Sequence, residues 1–488
     1  MVLDPFLGSG STALGVDAAG GRRLGIGCEI NEMPIQNLLL SLGANQDVDP
    51  TDLADLRTTL DRVGALYRFD LSGTVVTVNR IIHTMGEALT PTGFVIEERG
   101  LTRTIDSSEG STFDALATAY SSRVASLPVR DNMSLAENSR IAVRSGMQVS
   151  DVFGPLGFEA LSLLRDAGEH SLLVRLVVAS GLHLCRLTDA KSQSQFPYWH
   201  PKSNIHEKSV HVVMVKQTGA LEHLLTEQQW FDEAPVLQHF DDPRPTERPG
   251  HLILHGACDV RLAESVPDRS VDLVLTDPPY FDQVAYSEYL KLWEHFTRLN
   301  ADLDAEIVES SRVGGARSRA RYLDDIEAAF AEVRRTLKAD ATVLIYFKDS
   351  KPRNVHDFIS ALGRAGLSYI GQRHLPKPSY TYKQNATKET TVGGDAIMVF
   401  VPGLAENFVE PEPAGDLATL DSEFIQLFSD YVAEHGPSSL TEALDNRLLE
   451  VLYRRGYLSQ INAASPLADV VGREFHFDPS DRRWRPAT

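Results

Sequence analysis

The sequence predicts an α/β protein whose sheet is assembled from two separated stretches of one chain. Two observations carry this reading. Residues 2 to 30 run strand, glycine turn, helix, strand, with Gly8-Ser9-Gly10 closing the first strand and Glu29 closing the second. That order is the opening half of a nucleotide-binding α/β unit. From residue 251 the same rhythm returns, and the buried strand Val271 to Leu275 runs into Thr276-Asp277-Pro278-Pro279-Tyr280.

The elements follow in order. Val2-Leu3 ends the first strand, Thr12 to Ala19 is a small-residue helix stopped by Gly20-Gly21, and Arg23 to Cys28 is the second strand. Asp52 to Tyr67 has helical spacing, while Val75 to Val78 and Phe94 to Glu97 read as short strands. Residues 147 to 190 read as helical, with Asp151 capping a helix through Ala160, Leu163 and Leu164, and with Ser171 to Leu187 as a buried helix. Residues 191 to 216 read as a polar loop, and Asp241 to Pro249 as a proline-rich connector. Beyond it come the strand Leu252-Ile253-Leu254 and a short helix from Ala263 to Val266. A helix from Tyr286 to Leu299 follows, its Tyr289, Leu292, Trp293 and Phe296 spaced as core residues. Tyr322 to Leu337 is an amphipathic helix, Ala341 to Phe347 a strand, Val355 to Ala365 a helix and Ile397 to Val401 a closing strand. The tail reads as helices over 422–435 and 439–455 with a hairpin-like end from Glu474 to Trp484.

Composition sets outer bounds. At 488 residues, 42% hydrophobic and 23% charged, the chain is neither disordered nor collagen-like. Cys28, Cys185 and Cys258 cannot build a disulfide framework or a four-cysteine zinc site, which predicts a reducing, cytoplasmic setting. Met1-Val2-Leu3-Asp4-Pro5 lacks the basic-then-apolar pattern of a signal peptide. The most apolar stretch, Leu172 to Leu187, carries Arg175, His183 and Arg186 and is too short and charged to span a bilayer. A net charge of -20 argues against indiscriminate polyanion binding. The charge is uneven, however. Residues 310–323 hold four arginines and no acid, residues 371–388 hold Arg373, Lys377, Lys383 and Lys388 with no acid, and the tail from Gly403 nets -8. The 312–321 arginines read either as a solvated loop or as a contact to a DNA backbone.

Two motifs carry chemistry. In Asp4-Pro5-Phe6-Leu7-Gly8-Ser9-Gly10 the glycines let backbone approach a ligand and let a helix start close to the sheet. The spacing is not GxGxxG, and no Lys-Ser/Thr follows, which excludes a phosphate-cradling Walker loop. Glu29, an acid ending the next strand, is suited to accept both hydroxyls of a ribose. In Asp277-Pro278-Pro279-Tyr280 the paired prolines cannot continue a sheet and hold the chain rigid at its carboxyl edge. An acid, a fixed carbonyl and a ring together suit an exocyclic amine on an aromatic base. Asp277 accepts one N–H and the Pro278 carbonyl the other, which localises the nitrogen lone pair, while Tyr280 offers a stacking face worth ~1–3 kcal/mol. His200, His206 and His211 are irregularly spaced and have no cysteine partner, so no metal is expected. Asp272, five residues before Asp277, reads as a turn or cap residue rather than an acid/base partner.

These residues together resemble the amino-group DNA methyltransferases that use S-adenosylmethionine. The resemblance implies a Rossmann-like class I fold, a mixed seven-stranded sheet with helices on both faces. It implies cofactor contacts from Asp4, Phe6, Gly8, Gly10 and Glu29. Asp259, in His255-Gly256-x-x-Asp259, is similar to the position that meets the cofactor adenine. It implies Asp277, Pro278, Pro279 and Tyr280 as the catalytic group, and DNA, flipped out of its stack, as the partner. The following Phe281-Asp282-Gln283-Val284-x-Tyr286-Ser287-Glu288 resembles the large adenine-specific DNA methylases that begin with a Trp-Trp-Ala-Arg-Arg-Pro domain and often carry a zinc ribbon. This chain lacks both features. Asp151-Val152-Phe153-x-Pro155 with Ala160-Leu161 is similar to that group's Phe-x-Pro-Arg-Gln-Leu segment, with Leu156 and Gly157 in place of its Arg and Gln.

The resemblance covers residues 1–45 and 147–402. It favours adenine N6 over cytosine N4, because Asp leads the catalytic motif. RNA guanine N2 methylation and a noncatalytic nucleic-acid-binding subunit of a defence complex are the alternatives, and restriction-modification or phage defence is the setting the family implies. The expected organisation is 1–45 and 251–402 as two parts of one catalytic domain, 46–250 as an insertion for target recognition and helical support, and 403–488 as a helical C-terminal region. The first strand begins at Val2 with Asp4 already at its end, whereas a core strand usually has ~5–6 residues. The expectation is therefore a misplaced start or a separate upstream polypeptide that completes the sheet edge and pocket.

Overall fold

The computed structural model describes residues 1–44, 49, 51–71, 73–85, 89–98, 100–135, 137, 143–189, 205–226, 235–245, 247–281, 286–310, 317–347, 349, 351–375, 395–412, 416–461 and 465–487. The chain opens with β1 (Val2–Asp4), α1 (Ser11–Ala18), β2 (Leu24–Glu29) and α2 (Glu32–Ser41). In β2, Leu24, Ile26 and Cys28 are buried, and the alternate glycines admit neighbours too close for any side chain. A Cβ on Gly27 would lie 2.6 Å from Leu7, the residue that seats the glycine turn against the sheet.

An insertion with its own core follows. It contains α3 (Asp52–Leu66), β3 (Arg68–Leu71), β4 (Thr74–Met85), β5 (Leu89–Glu98), β6 (Leu101–Asp106), α4 (Ser111–Ala125), α5 (Ser150–Phe153), α6 (Pro155–Ala167), α7 (Leu172–Gly181), β7 (Thr188–Asp189), β8 (Ile205–Lys208) and α8 (Val210–Thr226). The strands form an antiparallel sheet ordered β6-β5-β4-β8-β7, with β3 also pairing β4. Its apolar face (Val76, Val78, Ile81, Phe94, Ile96, Ile105) packs with Leu56 and Leu60 of α3 and Leu161 and Leu164 of α6. The loop expected over 191–216 is corrected at its end: 205–208 is a strand and 210–226 a helix. The apolar run from Val210 to Met214 ends that stretch, and Val210, Met214 and Thr218 recur at intervals of four and are buried together on one helical face. The helix expected through Leu187 stops at Gly181, where a Cβ would lie 2.9 Å from the Met214 sulfur.

The first sheet then resumes with β9 (Val236–Leu237), β10 (Gly250–His255), α9 (Cys258–Ser265), β11 (Val271–Thr276), α10 (Tyr286–Thr297), α11 (Arg319–Thr336), β12 (Leu337–Phe347), α12 (Pro352–Arg364), β13 (Leu367–Leu375) and β14 (Asp395–Pro402). The sheet is mixed and ordered β13-β14-β12-β11-β1-β2-β10-β9. All neighbours from β9 to β12 are parallel, and β14 runs antiparallel to both β12 and β13. It has eight strands where seven were expected. The eighth is the two-residue edge strand β9, which lies just before the proline-rich connector and leaves no periodic signature. The tail adds a helix over Leu417–His435, shorter helical turns and an antiparallel hairpin of Phe475–Asp478 with Arg483–Pro486. Its Phe424, Phe428, Leu452 and Tyr457 join the same apolar core as the sheet. No helix among the described residues is long and apolar enough to cross a membrane.

The N-terminal strands are flanked by later ones on both sides, β2 by β10 and β1 by β11, the latter in register Val2 to Leu273 and Leu3 to Val274. Asp4 locks this junction. Its Oδ1 accepts the Thr276 hydroxyl at 2.7 Å and the Phe6 N–H at 3.1 Å, and its Oδ2 accepts the Thr12 hydroxyl at 2.7 Å. Asp4 is 4% exposed, and burial raises its carboxyl above the usual range, against the pull of these donors. Asp4→Ala strands the Thr276 hydroxyl and the Phe6 N–H and leaves the Thr12 hydroxyl only the Leu275 carbonyl at 3.3 Å. Urea unfolding should show a loss of about 1–3 kcal/mol; an unchanged midpoint would mean that the junction does not depend on this carboxylate.

Candidate active site

The crevice lies outside the carboxyl ends of β2, β1 and β11, where the connection from β1 runs to β2 on one side and the connection from β10 crosses to β11 on the other. Leu7 N–H donates to the Cys28 carbonyl at 2.9 Å, and Gly10 N–H to the Leu7 carbonyl at 2.9 Å, which folds the turn back over the sheet end. Gly8 and Gly10 have φ of 52° and 83°, a region open mainly to glycine. The two glycines do different work. A Cβ on Gly10 would lie 2.6 Å from Leu38 of α2, so this position is closed by packing. A Cβ on Gly8 would meet nothing nearer than the Phe6 carbonyl at 3.9 Å, so the space before it is open. Phe6 packs on Phe330 of α11 with ring centroids 6.0 Å apart.

Glu29 answers the turn from the neighbouring strand. Its Oε2 accepts Gly8 N–H at 2.8 Å and its Oε1 accepts Asn31 N–H at 2.9 Å. A carboxylate has about four acceptor sites, so capacity remains for a ligand. Burial raises its carboxyl above the usual range; the N–H groups of Asn31, Gly8 and Ile30 oppose this, and the Asp4 charge adds to it. The next strand over, β10, ends at His255, and Gly256 N–H donates to the Glu29 carbonyl at 2.9 Å. Half-buried Asp259 therefore stands in the first turn of α9, beside the same strand end.

The second motif begins one residue after Thr276, which Asp4 holds. Asp277 is exposed, Pro278 buried, and Pro279 and Tyr280 half-buried. The Tyr322 hydroxyl of α11 donates to the Pro279 carbonyl at 2.7 Å, whereas no donor among the described residues reaches the Pro278 carbonyl. The Tyr280 hydroxyl lies against the Asp277 carboxylate and 3.0 Å from the Tyr346 carbonyl. Its ring meets Phe347 edge-on at 5.3 Å. Phe281, 1% exposed and at φ 34°, is clamped between Tyr322 at 4.4 Å and the Arg319 guanidinium at 4.4 Å. Arg319 is in turn held by Asp357 at 2.6 and 2.9 Å.

The structure thus brings Asp4, Gly8, Gly10, Glu29, Asp277, Pro278, Pro279 and Tyr280 to one sheet edge, with Phe6 behind the turn and Asp259 one strand further out. Asp4 sits beneath the surface as a clamp, its carboxylate engaged by protein donors. Sequence reasoning gave no site role to Thr12, Thr276 or Tyr322 and read Arg319 only as part of an arginine stretch; the partners of Thr276, Tyr322 and Arg319 lie 38 or more residues away. The arginine stretch is corrected in part: Arg319 is committed to Phe281, Asp357 and Glu309, and Arg321 lies 3.6 Å from Asp325. Arg312, His200, Lys377, Lys383, Lys388 and residues 282–285 lie outside the described residues. Asp272 faces Lys338 away from the crevice, and Phe296 and Leu292 belong to the insertion core. Among the described residues no cluster of three metal-binding side chains exists. The segment from Phe153 to Leu161 starts α6 inside the insertion, where Gly157 N–H donates to buried Glu207 at 3.1 Å.

Two crystal structures of a Thermus thermophilus protein assigned as a DNA modification methylase are similar to this chain. One, a selenomethionine derivative, is 17% identical over 34% of this chain and 60% of its own, with a TM-score of 0.17. The other, complexed with S-adenosyl-L-methionine, is 16% identical over 36% of this chain and 59% of its own, with a TM-score of 0.17. The chain thus spans about 60% of the length of the structures it matches. No protein-family model and no curated protein matches the sequence.

Proposed function

We propose that this chain is an S-adenosylmethionine-dependent DNA methyltransferase acting on an exocyclic amine, adenine N6 before cytosine N4. One observation carries the reading: an open glycine turn, a hydroxyl acceptor and Asp277-Pro278-Pro279-Tyr280 converge on one crevice. Its charge narrows the ligand. Asp4, Glu29 and Asp277 act on one another as like charges there, as the Asp277 charge on Asp4 and the Asp4 charge on Glu29 attest. Such a crevice disfavours a pyrophosphate and favours a cation. A sulfonium and an ammonium meet that condition. Gly8 and Glu29 would hold the methionine and ribose parts, with Asp259 toward the adenine. When bound, S-adenosylmethionine supplies a methyl group already activated for direct displacement.

The remaining work falls to side chains of the chain itself. Asp277 accepts one N–H of the target amine and the Pro278 carbonyl the other, which turns the lone pair out of the ring. Tyr322 keeps the second proline carbonyl occupied, so the first is the acceptor presented. The Tyr280 hydroxyl has one proton and two acceptors beside it, so an incoming amine displaces it toward the Tyr346 carbonyl. The proton released from nitrogen leaves through Asp277, which is exposed to water. Adenine rests on the leading Asp of the motif. A noncatalytic nucleic-acid-binding subunit would need none of this donor arrangement.

Asp277→Ala should abolish methyl transfer to DNA while leaving cofactor affinity unchanged. Labelled methyl reaching DNA at more than a few per cent of the normal rate would sink the assignment. Tyr322→Phe should lower kcat more than it raises KM, because it loosens the proline carbonyls without removing a ligand contact. Glu29 makes cofactor affinity depend on pH. Ligand hydroxyls bind the ionised carboxylate, so affinity holds above its raised pKa and falls as pH drops through it, starting above 4.5. Glu29→Gln should flatten that profile and weaken binding by about 1.5–3 kcal/mol in calorimetry. A profile identical to that of the parent protein would remove Glu29 from the site.

A further inference from the structure

One arginine of the 312–321 stretch is spent on the protein itself. Arg319 opens α11, where a cation faces the positive end of the helix dipole, and the first turn of α11 holds no acid to offset it. Compensation comes from other segments. Asp357, in α12, accepts Arg319 Nε at 2.9 Å and Nη2 at 2.6 Å, both through Oδ2. Its other oxygen, Oδ1, lies 3.1 Å from Nδ1 of His356, which is 3% exposed. Burial raises the Asp357 carboxyl, but hydrogen bonds from His356 and Arg319 outweigh it and hold the group below the usual range, so it stays ionised. Arg319 Nη1 donates to Glu309 Oε2 at 3.5 Å. Two carboxylates from two other segments thus fix the direction of the guanidinium.

That direction lays it over the Phe281 ring, 4.4 Å from the centroid. Phe281 directly follows Asp277-Pro278-Pro279-Tyr280, and its backbone has φ of 34°. It is held there from three sides of the chain: by Arg319, by the Tyr322 ring at 4.4 Å, and by Glu309 N–H, which donates to the Phe281 carbonyl at 3.0 Å. At the other end of the group, Asp4 fixes Thr276. Only four residues span these two anchors, and two of them are prolines with fixed φ. In so short and stiff a span, turning the Phe281 end turns the proline carbonyls with it. Tyr322 links the two directly, since the side chain that packs on Phe281 also donates to the Pro279 carbonyl at 2.7 Å.

We propose that Arg319 and Asp357 are positioning residues, which act through Phe281 and Tyr322 to aim the Pro278 carbonyl and the Asp277 carboxylate at the reacting amine. The reaction so served rests on the methyltransferase reading above. Arg319 is then neither a solvated loop residue nor a contact to a DNA backbone, because a phosphate would have to displace Asp357 and Glu309 from it. Small errors of aim cost rate before they cost binding.

The test uses the full chain and the variants Arg319→Lys, Arg319→Gln, Asp357→Asn and Phe281→Leu. Lysine keeps the charge but lacks the planar fork that engages Asp357 while lying on a ring. Methylation of duplex DNA should lose on the order of 10–100-fold in kcat in both Arg319 variants and in Asp357→Asn, with KM for DNA at the parent value. S-adenosylmethionine affinity by calorimetry should match the parent in each, which reports an intact fold. Arg319→Lys should add little to Phe281→Leu, because the ring through which it acts is gone. A phosphate contact gives the opposite pattern: Arg319→Lys close to the parent, and Arg319→Gln weaker on DNA with the slope of log affinity against log salt reduced by about 1. That pattern, or fully additive losses in the double variant, would overturn the positioning role. Hydrogen exchange of the peptide spanning 276–281 reads the clamp without turnover and should be faster in Arg319→Lys and Asp357→Asn. Faster exchange in a chain that transfers no methyl would keep the clamp and sink the transferase reading. Exchange equal to the parent's, or an unchanged kcat in an active chain, would sink the clamp.

Discussion

A single buried carboxylate holds the arrangement together. An ionised Asp4 removed from water is costly unless donors surround it. The three that do so come from three places: the turn after β1, the first turn of α1 and the last residue of β11. The first two are local to the segment that carries Asp4, but the Thr276 hydroxyl is in reach only when β1 and β11 pair in the observed register. The requirement that makes Asp4 tolerable is thus the same one that aligns two chain segments separated by the whole insertion. Everything at the crevice edge inherits that alignment. Thr276 is fixed, so Asp277 projects from a fixed point; the turn is fixed, so Gly8 reaches Glu29.

From this junction outward, rigidity is relayed by groups that do not themselves line the crevice. Asp357 orients Arg319, Arg319 lies over Phe281, Phe281 packs at a tilt against Tyr322, and Tyr322 holds the Pro279 carbonyl. The chain after Tyr280 leaves at a positive φ that a bulky residue rarely adopts. Such strain persists when surroundings over-determine it, and here an aromatic ring and a guanidinium both pack against the Phe281 ring. The pair of prolines supplies local stiffness, and this relay supplies the direction in which that stiffness points.

The strand-end motifs were legible because their signals are local. A glycine turn after a strand, an acid closing the next strand and two prolines after a buried run each declare their position within ten residues. The insertion was less legible because an antiparallel sheet is specified by pairing between distant residues: Val76 and Phe94 show strand character, but nothing nearby tells that β4 pairs with β3, β5 and β8. β13 was missed for a related reason. Leu367, Tyr369 and Gly371 alternate inward, yet the bulge at Tyr369 to Gly371 breaks the period that would have marked the strand. Asp4 shows the limit most clearly. Its position in the motif was plain, but whether its carboxylate faced a ligand or the protein depended on Thr276, in the other half of the sheet.

On the methyltransferase reading proposed above, the acids at the crevice have a mechanical consequence for a polyanionic substrate. Acids gathered at the crevice suit a cationic donor but repel phosphates. A nucleic acid therefore gains nothing by lying in the crevice along its backbone. A base, by contrast, is uncharged, and its exocyclic amine is a donor that Asp277 and the Pro278 carbonyl can receive. The arrangement that favours the amine and rejects the phosphate requires the base to be extended away from its own backbone, which is what base flipping accomplishes. The energy of unstacking has then to be met by contacts made elsewhere on the chain.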